Sequence, residues 1–238
     1  MDFMAFLLNN VIKTSKRHPG PTEGGPAGKR RLRVLRVAVC NLKGGTGKTM
    51  SSVYLAAGLS RRGRTLGVDA DPQGSFLSWS EAAAQAGSEF GFAVVALPVK
   101  DLHRRVKHFM GDYEHLVVDT PPGHQAIVRS AVLAADAVVI PVQPSLMDLD
   151  RLRPTVELLA EVAELNDVSV YALLTRVRRG TRSARETRTV LEEDLGLSVI
   201  SAEVPLKEAY GMSFGLEPDG LMEYEAVLEE IAETEEVA

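Results

Sequence analysis

Lys43-Gly44-Gly45-Thr46-Gly47-Lys48-Thr49 directly follows the apolar run Val37-Ala38-Val39-Cys40. Glycines at this density let successive backbone N–H groups turn inward as an anion-binding nest, and a helix starting there aims its positive dipole end at phosphate. Lys48 can then reach the β- and γ-phosphates of a nucleotide, and the Thr49 hydroxyl can ligate Mg²⁺. The backbone groups of Gly44, Gly45, Thr46, Gly47 and Met50 complete the candidate cradle. The segment meets the pattern G-x-x-x-x-G-K-[ST] loosely, because the usual first glycine is shifted and Lys43 stands at the start. Further along, Val117-Val118-Asp119-Thr120 ends a β-branched run on a carboxylate, a group suited to hold the same metal through water.

A second constellation is basic. From Arg176 to Arg188 there are six arginines and one acid. Arg178, Arg182 and Arg185 share a face if the chain is helical from near Thr181, and Arg179 and Arg188 extend the cluster. Such a surface suits nucleic-acid phosphates, giving salt-dependent binding without base reading. A solvated charged helix paired to nearby glutamates is the plainer alternative. No aromatic interleaving or helix-turn-helix pattern points to sequence-specific recognition.

These groups need a scaffold that brings strand ends together. Apolar runs at Val34–Cys40, Thr65–Asp69, Phe92–Leu97, His115–Asp119, Ala137–Val142, Val168–Leu174 and Ser198–Ile200 predict strands. Helical patterns fall between them at Met50–Arg62, Ser75–Ala86, Leu102–Met110, Gln125–Ala134 and Leu149–Leu165. Continuously apolar strands imply a sheet covered on both faces. Strand–helix alternation with right-handed crossovers predicts an α/β fold, doubly wound, with a mostly parallel sheet. Ligands in such folds sit beyond the carboxyl ends of the strands, where Lys43–Thr49, Asp71 and Asp119 all fall. Trp79 and Phe76 read as packing residues. Leu221, Tyr224, Leu228 and Ile231 predict a docked amphipathic C-terminal helix.

The 238 residues suit one domain, 34–238, preceded by an extension, 1–33. Met4, Leu7, Leu8 and Val11 share a helical spacing, and a Pro/Gly-rich stretch, His18 to Pro26, reads as a flexible linker. The apolar stretch is shorter than the roughly 20 residues a bilayer span needs. A weak interfacial anchor, a partner-binding helix and an extension of little function remain open for it. A single cysteine excludes a disulfide framework and indicates a reducing compartment. The five scattered histidines lack ligand spacing, so no structural metal is expected. Net charge is −5, yet the stretch from Glu217 onward carries nine acids and no base, leaving the remainder at +4. The body can therefore face a polyanion, whereas the acidic end disfavours stable membrane association.

The loop K-G-G-T-G-K-T resembles the deviant Walker-A loop of the ParA/MinD ATPases. Val68-Asp69-Ala70-Asp71-Pro72-Gln73-Gly74, Val117 to Pro122 and Ile140-Pro141-Val142-Gln143-Pro144-Ser145 match further family motifs in the same order, over about Leu35 to the C-terminal helix. The resemblance implies a P-loop NTPase that binds ATP and Mg²⁺ and hydrolyses ATP slowly. It makes Lys43 the signature lysine, reaching across an ATP-bound homodimer to the opposite nucleotide. It makes Asp71 the residue that positions the attacking water, although that residue also suits a helix N-cap, and it puts Asp69 in support of the metal held by Thr49 and Asp119. The segment Pro141–Asp150 would lie near the dimer interface, and Thr175, Arg176 and Pro205 at the adenine, with Asn replacing Thr175 in some relatives. The short format is similar to ParA-type proteins that segregate plasmids and chromosomes. That implies a cytoplasmic, nucleoid-associated protein with nonspecific DNA and a ParB-like centromere-binding protein as partners. Lys29, Arg30, Arg31 and Arg33 could add a second DNA contact. The alternative is a MinD-like or orphan ParA-like ATPase that positions a membrane or protein cargo.

Overall fold

A computed structural model describes residues 34–145 and 149–237, so the features expected within 1–33, Lys29, Arg30, Arg31 and Arg33 included, lie outside the described residues, as does 146–148 of the expected interface segment. Seven strands form one sheet: β1 (Arg36–Val39), β2 (Thr65–Asp69), β3 (Ala93–Ala96), β4 (His115–Asp119), β5 (Ala137–Val142), β6 (Ser169–Leu174) and β7 (Ser198–Val199). Their order is β3-β2-β4-β1-β5-β6-β7, and every pair is parallel. The helices are α1 (Lys48–Ser60), α2 (Ser75–Gln85), α3 (Leu102–Arg105), α4 (Gln125–Val132), α5 (Arg153–Ala163), α6 (Arg182–Thr189), α7 (Glu208–Met212) and α8 (Glu223–Val237).

The two faces of β1 show how the layers form. Val37 and Val39 join a core with Val53 and Leu55 of α1 and with Val227 and Leu228 of α8. Ala38 and Cys40 join the opposite core, with Val128 of α4 and Leu159 of α5. Period-two alternation with apolar residues on both sides is what a sheet buried on both faces requires. Phe76 and Trp79 are buried in α2, as their packing reading expected.

Several boundaries moved. The helix expected over Leu149–Leu165 is interrupted: 149–150 are helical, 151–152 form a turn, and the main helix runs over Arg153–Ala163 with Pro154 in its first turn, where a missing N–H costs nothing. Leu102–Met110 becomes α3 followed by a 3₁₀ turn, Val106–His108. β3 is shorter than Phe92–Leu97, and its residues are only partly covered, as befits an edge strand.

The C-terminal amphipathic segment docks as its spacing indicated. Leu221, Tyr224, Leu228 and Ile231 are buried, and the Tyr224 hydroxyl shares a 2.8 Å hydrogen bond with Ser51 of α1. Gly58 makes this contact possible: a Cβ there would stand 2.1 Å from Leu228 Cδ1 and 2.9 Å from Leu221 Cδ1.

His115, at the start of β4, is buried and accepts the Leu35 N–H through Nδ1 at 3.2 Å. Burial holds its imidazole below the ordinary 6.5. The unfolded chain therefore takes up a proton on this residue at a higher pH than the folded one does. Its contribution is intact above 6.5 and is lost as pH falls toward the depressed folded value. Urea titrations should show stability falling as pH drops below 6.5, with the slope reduced in His115→Gln; parallel profiles would refute the assignment.

Candidate functional site

The registers place the site. Asp69 of β2 pairs with Asp119 of β4, which pairs with Val39 of β1, so three adjacent strands end at one level. The glycine-rich loop leaves β1 there. Gly45 and Gly47 have φ of +75° and +94°, and Gly47 is the N-cap of α1 without a capping side chain. Left-handed backbone at both positions turns the chain into a concave loop that a β-carbon would strain.

Side chains then fix the loop from beneath. Asn41 accepts the Lys43 N–H at 2.9 Å and donates to the Pro141 carbonyl at 2.9 Å. Leu42 N–H donates to Thr155 Oγ1 of α5 at 3.1 Å. Thr175 is fully buried and donates to the Thr46 carbonyl at 2.9 Å. Its hydroxyl thus supports the loop.

Lys48 is buried, and its ammonium donates to the Lys43 carbonyl at 2.9 Å, spanning the loop. Desolvation lowers its pKa, opposed by the negative charge of Asp119. Thr49 Oγ1 donates to Asp119 Oδ2 at 2.7 Å, and Ser52 Oγ donates to Oδ1 at 3.1 Å. Burial pushes the Asp119 carboxyl up to about 7; the two hydroxyls and Lys48 oppose this, while Asp69 reinforces it. A hydroxyl beside one carboxylate fits Mg²⁺, which keeps most of its shell from water and substrate oxygens. The buried Thr46 Oγ1 has no hydrogen-bond partner among the described residues, a polar orphan in the loop that suits an oxygen-rich ligand. Thr49 and Asp119 are thus the residues that would hold the metal.

Asp69 and Asp71 separate into different roles. Both oxygens of the buried Asp69 accept backbone N–H groups, from Asp71 at 3.0 Å and Leu77 at 2.9 Å. It therefore ties the loop to the first turn of α2. Asp71 is half-buried and accepts the Gln73 N–H at 2.9 Å. The α2 cap is Gly74, so Asp71 is not the helix cap.

Of the remaining expected positions, Arg176 directly follows Thr175 and Pro205 lies close by, while the arginines lie on and beside α6. Lys43 is half-buried at the loop mouth. Arg176 is exposed with φ +54°, and Pro205 is buried beside Val177 through a parallel bridge. Of the arginines, Arg178, Arg179, Arg182 and Arg185 are exposed. Arg182 pairs with Glu186 at 2.5 Å and Arg185 reaches the Gly180 carbonyl at 3.4 Å. Arg188 departs from the cluster: it binds the Ile200 carbonyl at 3.0 Å and Glu203 at 3.3 Å, which makes it a tie between α6 and the chain after β7. Asn41, Ser52 and Thr155 had no place in the sequence reading, whereas Gln143, quoted there as part of a family motif, donates to the Gly45 carbonyl at 2.5 Å. Ser52 alone had a local signal, three residues after Thr49 on the same helix face.

Residues 37–214 match the CobQ/CobB/MinD/ParA nucleotide binding domain. The chain is 33% identical over 183 residues to maintenance of carboxysome distribution protein A of Halothiobacillus neapolitanus, covering 75% of this chain and 82% of that one. It is 30% identical over 217 residues to the chromosome-partitioning ATPase Soj of Thermus thermophilus, covering 78% and 87%. Among solved structures, a Cyanothece McdA variant in complex with ATP superposes with a TM-score of 0.67 at 18% identity, covering 83% and 96% of the two chains.

Proposed function

The chain belongs to the CobQ/CobB/MinD/ParA nucleotide-binding family, and on that premise we propose that it is a Mg-ATP-dependent switch that positions a large intracellular cargo. The observation that carries this is the loop itself, with Lys48 spanning it, an orphan hydroxyl inside it and a Thr49–Asp119 pair beneath it. Members of this family bind ATP and are generally ATPases. The proposed cycle begins with ATP on the loop N–H groups and Lys48. Lys43 of one subunit then neutralises phosphate charge on the other, so that dimers form when ATP is bound. Asp71 orients the water for in-line attack; Thr49 and Asp119 would hold Mg²⁺, which would supply positive charge to offset that of the phosphates. Hydrolysis acts as a slow timer that releases the dimer.

The ATP-bound dimer holds nonspecific DNA through Arg178, Arg182 and Arg185, which are exposed on and beside α6, so the switch works on the nucleoid. Residues 34–238 form the ATPase domain and 1–33 an extension. DNA partition with a ParB-like stimulating protein is one reading of the cargo, supported by the likeness to Soj. A protein compartment is the second. It is supported by 40% identity over 159 residues to maintenance of carboxysome distribution protein A of Gloeobacter kilaueensis, covering 66% of this chain and 70% of that one.

Salt-titrated binding to nonspecific duplex DNA tests the shared step. Binding is expected with ATP and not with ADP, and Arg178→Ala/Arg182→Ala/Arg185→Ala should flatten the salt dependence by about one unit of slope per lost phosphate contact. Equal binding with both nucleotides, or none with either, overturns the DNA-bound switch. Co-purification from the host then separates the cargoes: a centromere-binding protein supports partition, and shell proteins of a compartment support the second reading.

A further inference from the structure

The last two residues of β5 and the two that follow are gripped from two sides. The Pro141 carbonyl accepts Asn41 Nδ2 at 2.9 Å, and the Val142 carbonyl accepts the Thr175 N–H at 2.9 Å. Gln143 then donates through Nε2 to the Gly45 carbonyl of the glycine-rich loop at 2.5 Å. The Pro144 carbonyl accepts the Ser183 hydroxyl at 2.5 Å. Ser183 is the second residue of α6 and lies between Arg182 and Arg185. Arg178 belongs to the same unit, because its carbonyl accepts the Thr181 N–H at 3.3 Å and the Thr181 hydroxyl at 2.9 Å. In the sheet, β5 stands between β1, which feeds the glycine-rich loop, and β6, which feeds the arginine segment. The end of β5 therefore bridges the two.

We infer that Gln143, Pro144 and Ser183 form a relay through which phosphate on the glycine-rich loop fixes α6, an inference that rests on the proposed nucleotide-switched binding of DNA by that helix. Peptide chemistry gives the relay its sign. The Gly45 carbonyl shares a peptide unit with the Thr46 N–H, and the Thr46 carbonyl shares one with the Gly47 N–H. An anion that takes these N–H groups polarises both units and makes their carbonyls stronger acceptors. Gln143 holds the first carbonyl and Thr175 holds the second, at 2.9 Å, so bound phosphate tightens both grips. A firmer Gln143 steadies its neighbour Pro144, whose carbonyl is the seat of Ser183. Both relay bonds lie at the surface. Each shifts an equilibrium by only about two- to twelvefold, so nucleotide can make or release them. Linkage is reciprocal: a ligand that orders α6 must tighten nucleotide binding by the same factor.

Amide hydrogen exchange in α6 reads the relay without DNA. It is measured on the full chain, alone and with Mg²⁺ and the non-hydrolysable analogue AMPPNP at saturation. Nucleotide is expected to slow exchange at Glu186 to Thr189 severalfold in the wild type and less than twofold in Gln143→Ala and in Ser183→Ala. The two contacts act in series, so the double variant should lose no more than either single one. Ser183→Thr keeps the hydroxyl and should restore the effect. Equal slowing in the wild type and both variants overturns the relay, as does no slowing in the wild type or an additive loss in the double variant. Faster exchange in both states with the nucleotide effect kept overturns it too, in favour of a merely structural role. Duplex DNA titrations on the same samples separate this from the reading it rests on. The expected exchange pattern without DNA binding keeps the relay and removes DNA as what α6 holds. Nucleotide-dependent DNA binding that survives both substitutions undiminished keeps DNA and overturns the relay.

Discussion

Lys48→Ala is expected to lower ATP turnover by at least about 100-fold, the scale seen when one preorganised charge-stabilising donor is removed, and to weaken nucleotide binding with it. The ammonium is buried at the loop, close enough to Asp119 for that carboxylate to offset its desolvation, and among the described residues its one hydrogen bond is to the Lys43 carbonyl at 2.9 Å. A buried cation with so few ligands is under-solvated, and phosphate oxygens would complete its shell, so binding and transition-state stabilisation share one group. Removal also has a structural consequence. Asp119 would lose an opposing positive charge while keeping Asp69 beside it, so its carboxyl would be pushed further up. Phosphate release, titration with a fluorescent ATP analogue and a urea curve on the same variant distinguish these effects. Unchanged affinity and turnover in a folded variant would remove Lys48 from the site.

What could be read from the chain and what could not divides by sequence distance. The loop, its strand and its helix are contiguous, and each glycine, lysine and hydroxyl carries its own conformational or chemical reason for being there. The parallel sheet was legible for a similar reason: Val117, Val118, Val138 and Val139 are β-branched neighbours that only a doubly covered strand tolerates. The groups that hold the loop in place were not legible. Thr155 meets Leu42, and Thr175 meets Thr46, across more than a hundred residues, and an isolated threonine in an apolar run has no signal for such a contact. Arg188 is instructive because the information was present. Ala184, Thr187 and Leu191 mark the buried face of α6 and the turn after it, and Arg188 flanks that face. Its charge suggested phosphate, but its position assigned it to the Ile200 carbonyl. Asp69 and Asp71 were legible as a pair only, since their division of labour depends on which backbone N–H groups the turn into α2 presents.

That division sets the last expectation. Asp71→Ala should reduce hydrolysis by about 100-fold or more, in the range lost with a proton-accepting or water-orienting group, while leaving nucleotide affinity near wild type. Asp71 is half-buried at the strand ends and is near enough to Lys48 to raise its pKa, which puts its carboxylate within electrostatic reach of bound phosphate. Among the described residues its carboxylate takes one hydrogen bond, from Gln73 N–H within its own turn, of modest worth, about 1 kcal/mol. The fold should therefore survive its loss. Asp69→Asn is the control with the opposite signature. An amide offers one acceptor where Asp69 uses two carboxylate oxygens, and its NH₂ would face the Asp71 or the Leu77 N–H. The expected result is a clear drop in the urea midpoint, with hydrolysis falling because the Asp71 turn is no longer held. Turnover by Asp71→Ala near wild type would show that another group orients the water. An undisturbed midpoint in Asp69→Asn would show that the turn stands without its anchor. If ATP-bound dimers form in solution, Asp71→Ala should also accumulate them, because a timer that cannot run leaves the switch in its nucleotide-bound state.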